Sequence, residues 1–265
     1  MAEVLLSSVD GEILAPAEAR IPITDDGLLR GDGVFEVVKL YGGVPFRLDP
    51  HLDRLERSAM AIELPVPRTV LEAEINAMLD RVPGEDLGLR VLLTRGGRRL
   101  VMAERIPDWA ASASVALIEY TPSEILGGVK SISYAANMQS SRIAASRGAD
   151  EPVWVRPDGV VLEAPTSAVF WAGPNGRLRT PALDCRILDS ITRAVVVERL
   201  EVEQGSYDRT ELEGASEAFL ASTTREIQPV SAIEGTELPD CPGELTREAA
   251  SALDAAVADE LSGGN

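Results

Sequence analysis

The chain has 265 residues, 45% of them hydrophobic, and a formal net charge of −18. That length and apolar content support one large or two modest domains with real cores, while the charge disfavours nucleic acid and anionic membrane as partners, both of which it would repel at long range. No apolar run approaches the ~18 residues needed to span a bilayer, and the N-terminus lacks the basic region of a signal peptide, so the cytoplasm is the expected location.

Residues 2–8 and 11–14 flank Asp10-Gly11 and read as a β-hairpin. A second strand pair, 34–41 and 44–48, is joined by Gly42-Gly43. Asp49-Pro50 then opens a helix, with Asp49 as cap and Pro50 in the first turn. A further helix is expected over 69–82, with strands at 89–94 and 115–120. The stretch 121–128, Thr-Pro-Ser-Glu-Ile-Leu-Gly-Gly, reads as a linker. Beyond it come strands at 129–134, 152–156, 160–162, 168–172 and 217–221, helices at 138–147, 191–203 and 244–262, and a frayed Ser-Gly-Gly-Asn tail. Neither regular βαβ alternation nor an internal repeat is present, so the expected class is α+β. The expected organisation is a smaller N-terminal domain over 1–120, a linker over 121–128 and a larger domain over 129–265.

Only two of the 25 basic residues are lysine, Lys39 and Lys130. Arginine replaces lysine readily in salt bridges and phosphate contacts, but an always-charged guanidinium cannot form an imine. A lysine retained in so arginine-biased a chain is therefore a candidate for amine chemistry. Lys130, in Gly-Gly-Val-Lys-Ser-Ile-Ser-Tyr, is the stronger candidate, and Lys39 fits an outward position of an alternating strand. Cys185 and Cys241 have no metal-ligand spacing, which leaves a disulfide between them open, and with His51 as the one histidine no zinc site of the usual Cys/His types can be built, so no metal is expected. Arg95, Arg98 and Arg99 form the one concentrated positive patch, either a solvated loop or a clamp for an anionic small substrate.

An imine-forming lysine suits pyridoxal phosphate, which also needs an anion beside its ring nitrogen, a clamp for its phosphate and a donor near its phenolic oxygen. Glu163 lies among apolar strand residues, where a carboxylate needs a partner. Ser190 caps an expected helix whose first amides, Ile191 and Thr192, suit a phosphate. Ser222, Thr223 and Thr224 bring three hydroxyls to a strand end, and Arg54 lies on the helix beginning near Asp49. Each of these has an ordinary structural reading as well: a cap, a strand terminus, a surface arginine.

In this order and spacing the segments Thr24-Asp-Asp-Gly-Leu-Leu-Arg-Gly-Asp-Gly-Val-Phe-Glu, His51-Leu-Asp-Arg-Leu-Glu-Arg-Ser-Ala, Lys130-Ser-Ile-Ser-Tyr, Leu162-Glu-Ala-Pro-Thr-Ser, Ile187-Leu-Asp-Ser-Ile-Thr-Arg and Ser222-Thr-Thr-Arg-Glu-Ile-Gln-Pro-Val resemble the class IV aminotransferases, which are fold type IV pyridoxal-phosphate enzymes. The resemblance runs over roughly residues 20–250. It implies a two-domain α+β architecture with the cofactor held between the domains, the larger one binding most of it. It makes Lys130 the catalytic Schiff-base lysine, Glu163 the partner of the pyridine nitrogen, Tyr134 the neighbour of the phenolic oxygen, and Leu188 the residue packed on the ring. Arg54, Ile191, Thr192 and Thr223 would hold the phosphate. Phe35, Arg98, Arg99 and Thr224 are the candidate substrate contacts, and His51 is expected to be a packed structural histidine.

The resemblance implies transfer of an amino group between an amino acid or amine and a 2-oxo acid. The alternative is the lyase reaction of relatives that convert 4-amino-4-deoxychorismate to 4-aminobenzoate and pyruvate, and a non-catalytic ligand-binding relative is a third reading. Glu36 suits the transaminases, where some lyases carry threonine. Ser133 and Ser190 depart from the family's frequent Asn and Gly. Phe35 stands where enzymes acting on D-amino acids carry tyrosine, and their Arg-x-His carboxylate trap is absent from 95–102, which speaks against D-amino-acid specificity. The expected partners are small amino and keto acids and, by resemblance, a second copy of the chain in a homodimer.

Overall fold

The computed structural model describes residues 3–263, so residue 2 of the first expected strand and residues 264 and 265 of the tail lie outside it. Two compact units divide the chain: Met1–Asp108 with Val129–Tyr134, and Trp109–Gly128 with Ala135–Asn265.

In the first unit, β1 (Val4–Val9) and β2 (Glu12–Leu14) form the hairpin at Asp10-Gly11. A short helix, α1 (Asp26–Arg30), precedes β3 (Gly33–Tyr41) and β4 (Val44–Pro45). Helices α2 (Leu48–Ala61) and α3 (Arg68–Leu79) follow, then β5 (Leu87–Thr94) and β6 (Arg99–Arg105). The strands make one sheet in the order β2-β1-β6-β5-β3-β4. Leu52, Leu55 and Ala59 recur at three- and four-residue spacing on α2 and bury against β3 and β5 beside Val38, Leu40 and Leu89. Asp49 does not cap α2. The cap position is Arg47, in the left-handed region, and Asp49 lies in the first turn, where a carboxylate still complements the helix dipole. β6 was not foreseen; it opens on Arg99, the last arginine of the cationic patch.

The second unit begins with β7 (Ala113–Glu119), followed by α4 (Ala135–Ser146), β8 (Glu151–Val155), β9 (Ala168–Ala172) and β10 (Leu178–Pro181). Then come α5 (Ile191–Arg199), β11 (Val202–Gly205), α6 (Arg209–Glu213), β12 (Ala218–Ser222), β13 (Glu226–Ile233), β14 (Thr236–Glu237) and α7 (Glu244–Gly263). The sheet order is β11-β10-β9-β12-β13-β7-β8, with β14 beside β13.

Further expectations change. The strand at 115–120, assigned to the first domain, is β7 and pairs in parallel with β8 and β13 of the second sheet. The helix expected over 191–203 ends at Arg199, because Leu200 turns extended and β11 pairs in parallel with β10 across the α5 connection. The strand expected at 129–134 is reduced to one antiparallel bridge, Val34↔Ser131, since Tyr134 N already turns back to the Ile132 carbonyl at 2.8 Å. Ser262 and Gly263, expected to fray, are the end of α7.

Candidate active site

The Lys130 side lies in the first unit. Lys130 is half-buried, and its backbone is tied down on both sides: its N–H donates to Ser58 Oγ at 3.1 Å and its carbonyl accepts from Phe35 N at 3.0 Å. Ile132 N donates to the Gly33 carbonyl at 3.0 Å, an approach that needs glycine, because a Cβ at 33 would lie 2.8 Å from Ile132 Cδ1 and 2.3 Å from the Leu93 carbonyl oxygen. The ammonium of Lys130 sits 4.6 Å from the centroid of the Phe35 ring, a cation–π distance. Tyr134 meets the same ring edge-on at 5.4 Å. Phe35, itself buried, thus fixes the directions of both Lys130 and Tyr134.

Beside Phe35 on β3, Glu36 points to α2 and is fully buried. Arg54 donates to it twice, from Nε to Oε1 and from Nη2 to Oε2, both at 2.7 Å. His51 Nδ1 lies 2.8 Å from Oε2. Burial is the largest influence on the Glu36 carboxyl and pushes it up, but the charge and hydrogen bonds of Arg54, with the hydrogen bond from His51, outweigh burial and hold it at about 2. Burial likewise pulls His51 below its ordinary value, against the opposing pull of Glu36. A carboxylate can only accept, so the neutral imidazole donates from Nδ1. One helical stripe does all this, since His51, Arg54 and Ser58 recur at three and four residues on α2.

The Glu163 side lies in the second unit. Glu163 is half-buried, its carbonyl accepts from Trp154 N at 2.9 Å, and its Oε1 accepts from Leu188 N at 3.0 Å, which brings the ring-packing candidate beside the carboxylate. Ser190 caps α5, its hydroxyl accepting from Arg193 N at 3.3 Å. Ile191 and Thr192 are buried at positions N1 and N2, and among the described residues no acceptor meets their amides. Thr223 and Thr224, half-buried, occupy the turn between β12 and β13. The first unit thus offers a primary amine, and the second a carboxylate, a pair of amides at a helix N-terminus and a turn hydroxyl, each a group of the kind pyridoxal phosphate requires.

A family model for amino-transferase class IV matches residues 33–233. The chain belongs to amino-transferase class IV. The D-alanine aminotransferase of Bacillus licheniformis is 30% identical over 280 residues, covering 95% of this chain and 96% of its own. The aminodeoxychorismate lyase of Bacillus subtilis is 31% identical, covering 90% of each. A fold IV transaminase from Curtobacterium pusillum superposes with a TM-score of 0.83 at 29% identity, over 94% of this chain and 98% of its own. The PLP-bound form of a hypothetical aminotransferase from Mycobacterium tuberculosis gives 0.85 at 25% identity, over 96% and 99%. The fold is therefore fold type IV, and this class IV enzyme uses pyridoxal 5′-phosphate.

The arginine loop of this class IV chain is differently engaged than its sequence suggests. Arg98 is bonded to Asp10, Arg99 bonds Glu74 at 2.8–3.1 Å, and Arg95 bonds Asp32 at 3.0 Å, all within the first unit. Its positive charge faces carboxylates of the same chain. Lys39 lies 4.4 Å over the Tyr41 ring and 4.0 Å from Asp86, a structural setting. Cys185 and Cys241 are free thiols. Among the described residues no helix is long and apolar enough to cross a membrane, and no group of three or more His, Cys, Asp or Glu could hold a metal ion. What the sequence reading missed was the Glu36–His51–Arg54 cluster. Its signal was a lone acid in the apolar run of β3 with polar residues at 51, 54 and 58 of one helix.

Proposed function

We propose that the chain is an aminotransferase that moves an amino group between an amino acid or amine and a 2-oxo acid, with Lys130 as the covalent anchor of pyridoxal phosphate. The observation that carries the choice of aminotransferase is Glu36: fully buried, it accepts from both Arg54 and His51. A threonine, as carried by some lyases at this place, could not offer Arg54 the two acceptor oxygens that the carboxylate does. The lyase reading keeps support from the 31% identity to the Bacillus subtilis enzyme.

When bound, pyridoxal phosphate supplies an electron sink for the bond to the substrate α-carbon. Lys130 would anchor the cofactor through its Nζ, and as a neutral amine that nitrogen would take the substrate's α-proton and pass it to the cofactor's carbon rather than back to the α-carbon. Phe35 and the hydrogen-bonded backbone at Lys130 restrict where that nitrogen can reach. Glu163, steadied by the Leu188 amide, keeps a proton on the pyridine nitrogen. The Ile191 and Thr192 amides, Thr223 and Arg54 hold the phosphate, and Tyr134 stands by the phenolic oxygen. Phe35 and Thr224 contact the substrate.

Holoenzyme mixed with single amino donors, L and D, and no 2-oxo acid tests this. Recovery of the aminated cofactor supports it, whereas release of pyruvate and 4-aminobenzoate from 4-amino-4-deoxychorismate with no aminated cofactor from any donor refutes it. We place the enzyme in the cytoplasm as a homodimer, and a monomer mass in sedimentation would count against the dimer.

A further inference from the structure

Trp109 opens the second unit, immediately after Asp108, and is 39% exposed, so burial alone does not hold its large ring in place. Two contacts do. Its Nε1–H donates to the Thr224 carbonyl at 3.0 Å, and the Arg225 guanidinium lies 3.9 Å from the ring centroid, an in-contact cation–π stack. Arg225 is in turn fixed from the other side. Its side chain is buried, pairs with Glu151 of β8 at 2.5 Å and bonds Gln228, whose Nε2 donates to the Ala110 carbonyl at 2.7 Å.

These contacts converge on one tight turn. The register Ser222↔Glu226 leaves three residues, Thr223, Thr224 and Arg225, between β12 and β13. The residue that follows, Glu226, opens β13 in the left-handed region at φ 58°, a conformation that favours glycine. A non-glycine residue held there persists only where its surroundings over-determine it. We propose that Trp109, braced by Arg225, is a positioning residue that holds this turn so that Thr223 meets the cofactor phosphate. The proposal rests on the assignment of Thr223 to that phosphate.

The test reads bound and free pyridoxal phosphate by ultrafiltration of holoenzyme at stepped dilutions, with far-UV circular dichroism confirming the fold. Thr223→Ala, the reference, should weaken cofactor binding about tenfold. Trp109→Phe keeps a ring on Arg225 but removes the N–H donor, and should weaken binding about threefold; Trp109→Ala should approach the reference. Adding Trp109→Phe to Thr223→Ala should change nothing further, because the contact it positions is gone. Wild-type affinity in both Trp109 variants while Thr223→Ala is weakened overturns the proposal, as do effects of the two sites that simply multiply. Wild-type affinity in Thr223→Ala removes the assignment of Thr223 itself, and the positioning role with it.

Discussion

Replacing Glu36 by Gln preserves shape and removes one charge at the centre of a buried cluster. Arg54, 4% exposed, would lose its counter-charge, and one acceptor oxygen would become an amide donor facing Arg54 or His51. Removing one partner of a buried ion pair typically costs about 3–5 kcal/mol. The carboxyl itself gives a similar figure, since a fall from its ordinary value of 4.5 to about 2 corresponds to roughly 3 kcal/mol of favourable interaction with the ionised form. Against a typical domain stability of about 5–15 kcal/mol, that loss is large but leaves a folded protein to measure. The sign follows from the direction of the shift. A depressed carboxyl contributes stability fully present above its unfolded value and lost as pH falls from about 4.5 towards 2. Urea unfolding of the wild type and Glu36→Gln at pH 7 should differ by about 3–5 kcal/mol, with the gap closing across that acid window. A difference below about 1 kcal/mol at pH 7, or a gap independent of pH, would refute the reasoning.

Lys130→Arg should abolish borohydride-trapped attachment of the cofactor and lower turnover by several orders of magnitude, while Lys39→Arg leaves both near wild type; labelling at Lys39 would sink the assignment. Glu163→Gln should retain the cofactor but turn over on the order of a hundredfold more slowly, and steady-state rates at saturating cofactor check this. Because burial pulls His51 down, the unfolded chain takes up a proton as pH drops below about 6.5 that the folded chain does not; stability should therefore fall on acidification through that value, and His51→Gln should remove that part of the slope. Arg99→Ala should lower the melting temperature by stranding the mostly buried Glu74, yet change the Michaelis constants of an amino acid and a neutral amine equally, since Arg99 faces Glu74; a selective rise for the amino acid would restore the carboxylate clamp.

Local chemistry was legible where the signal is local. Asp10-Gly11 marked the first hairpin, Ser190 the cap of α5, and the scarcity of lysine drew attention to Lys130. The motif spacing carried the family and its cofactor. The alternation that normally reports a strand's buried face was missing from β3, whose Gly33, Val34, Phe35, Glu36, Val38, Lys39 and Leu40 are all buried, so Glu36 showed only as a lone acid in an apolar run, with nothing in the pattern to say which residues would meet it.

The tertiary structure decided the rest, because it depended on which segments meet. Glu36 finds His51 and Arg54 only when α2 packs across β3, 15 and 18 residues away in sequence. The residues from Val129 to Tyr134 follow a stretch of the second unit, yet their hydrogen bonds to Gly33 and Phe35 return them to the first. The arginines at 95–99 look like a free cationic patch until folding brings Asp32, Asp10 and Glu74 within bonding distance, and a charge's partner, unlike its sign, is a property of the folded chain.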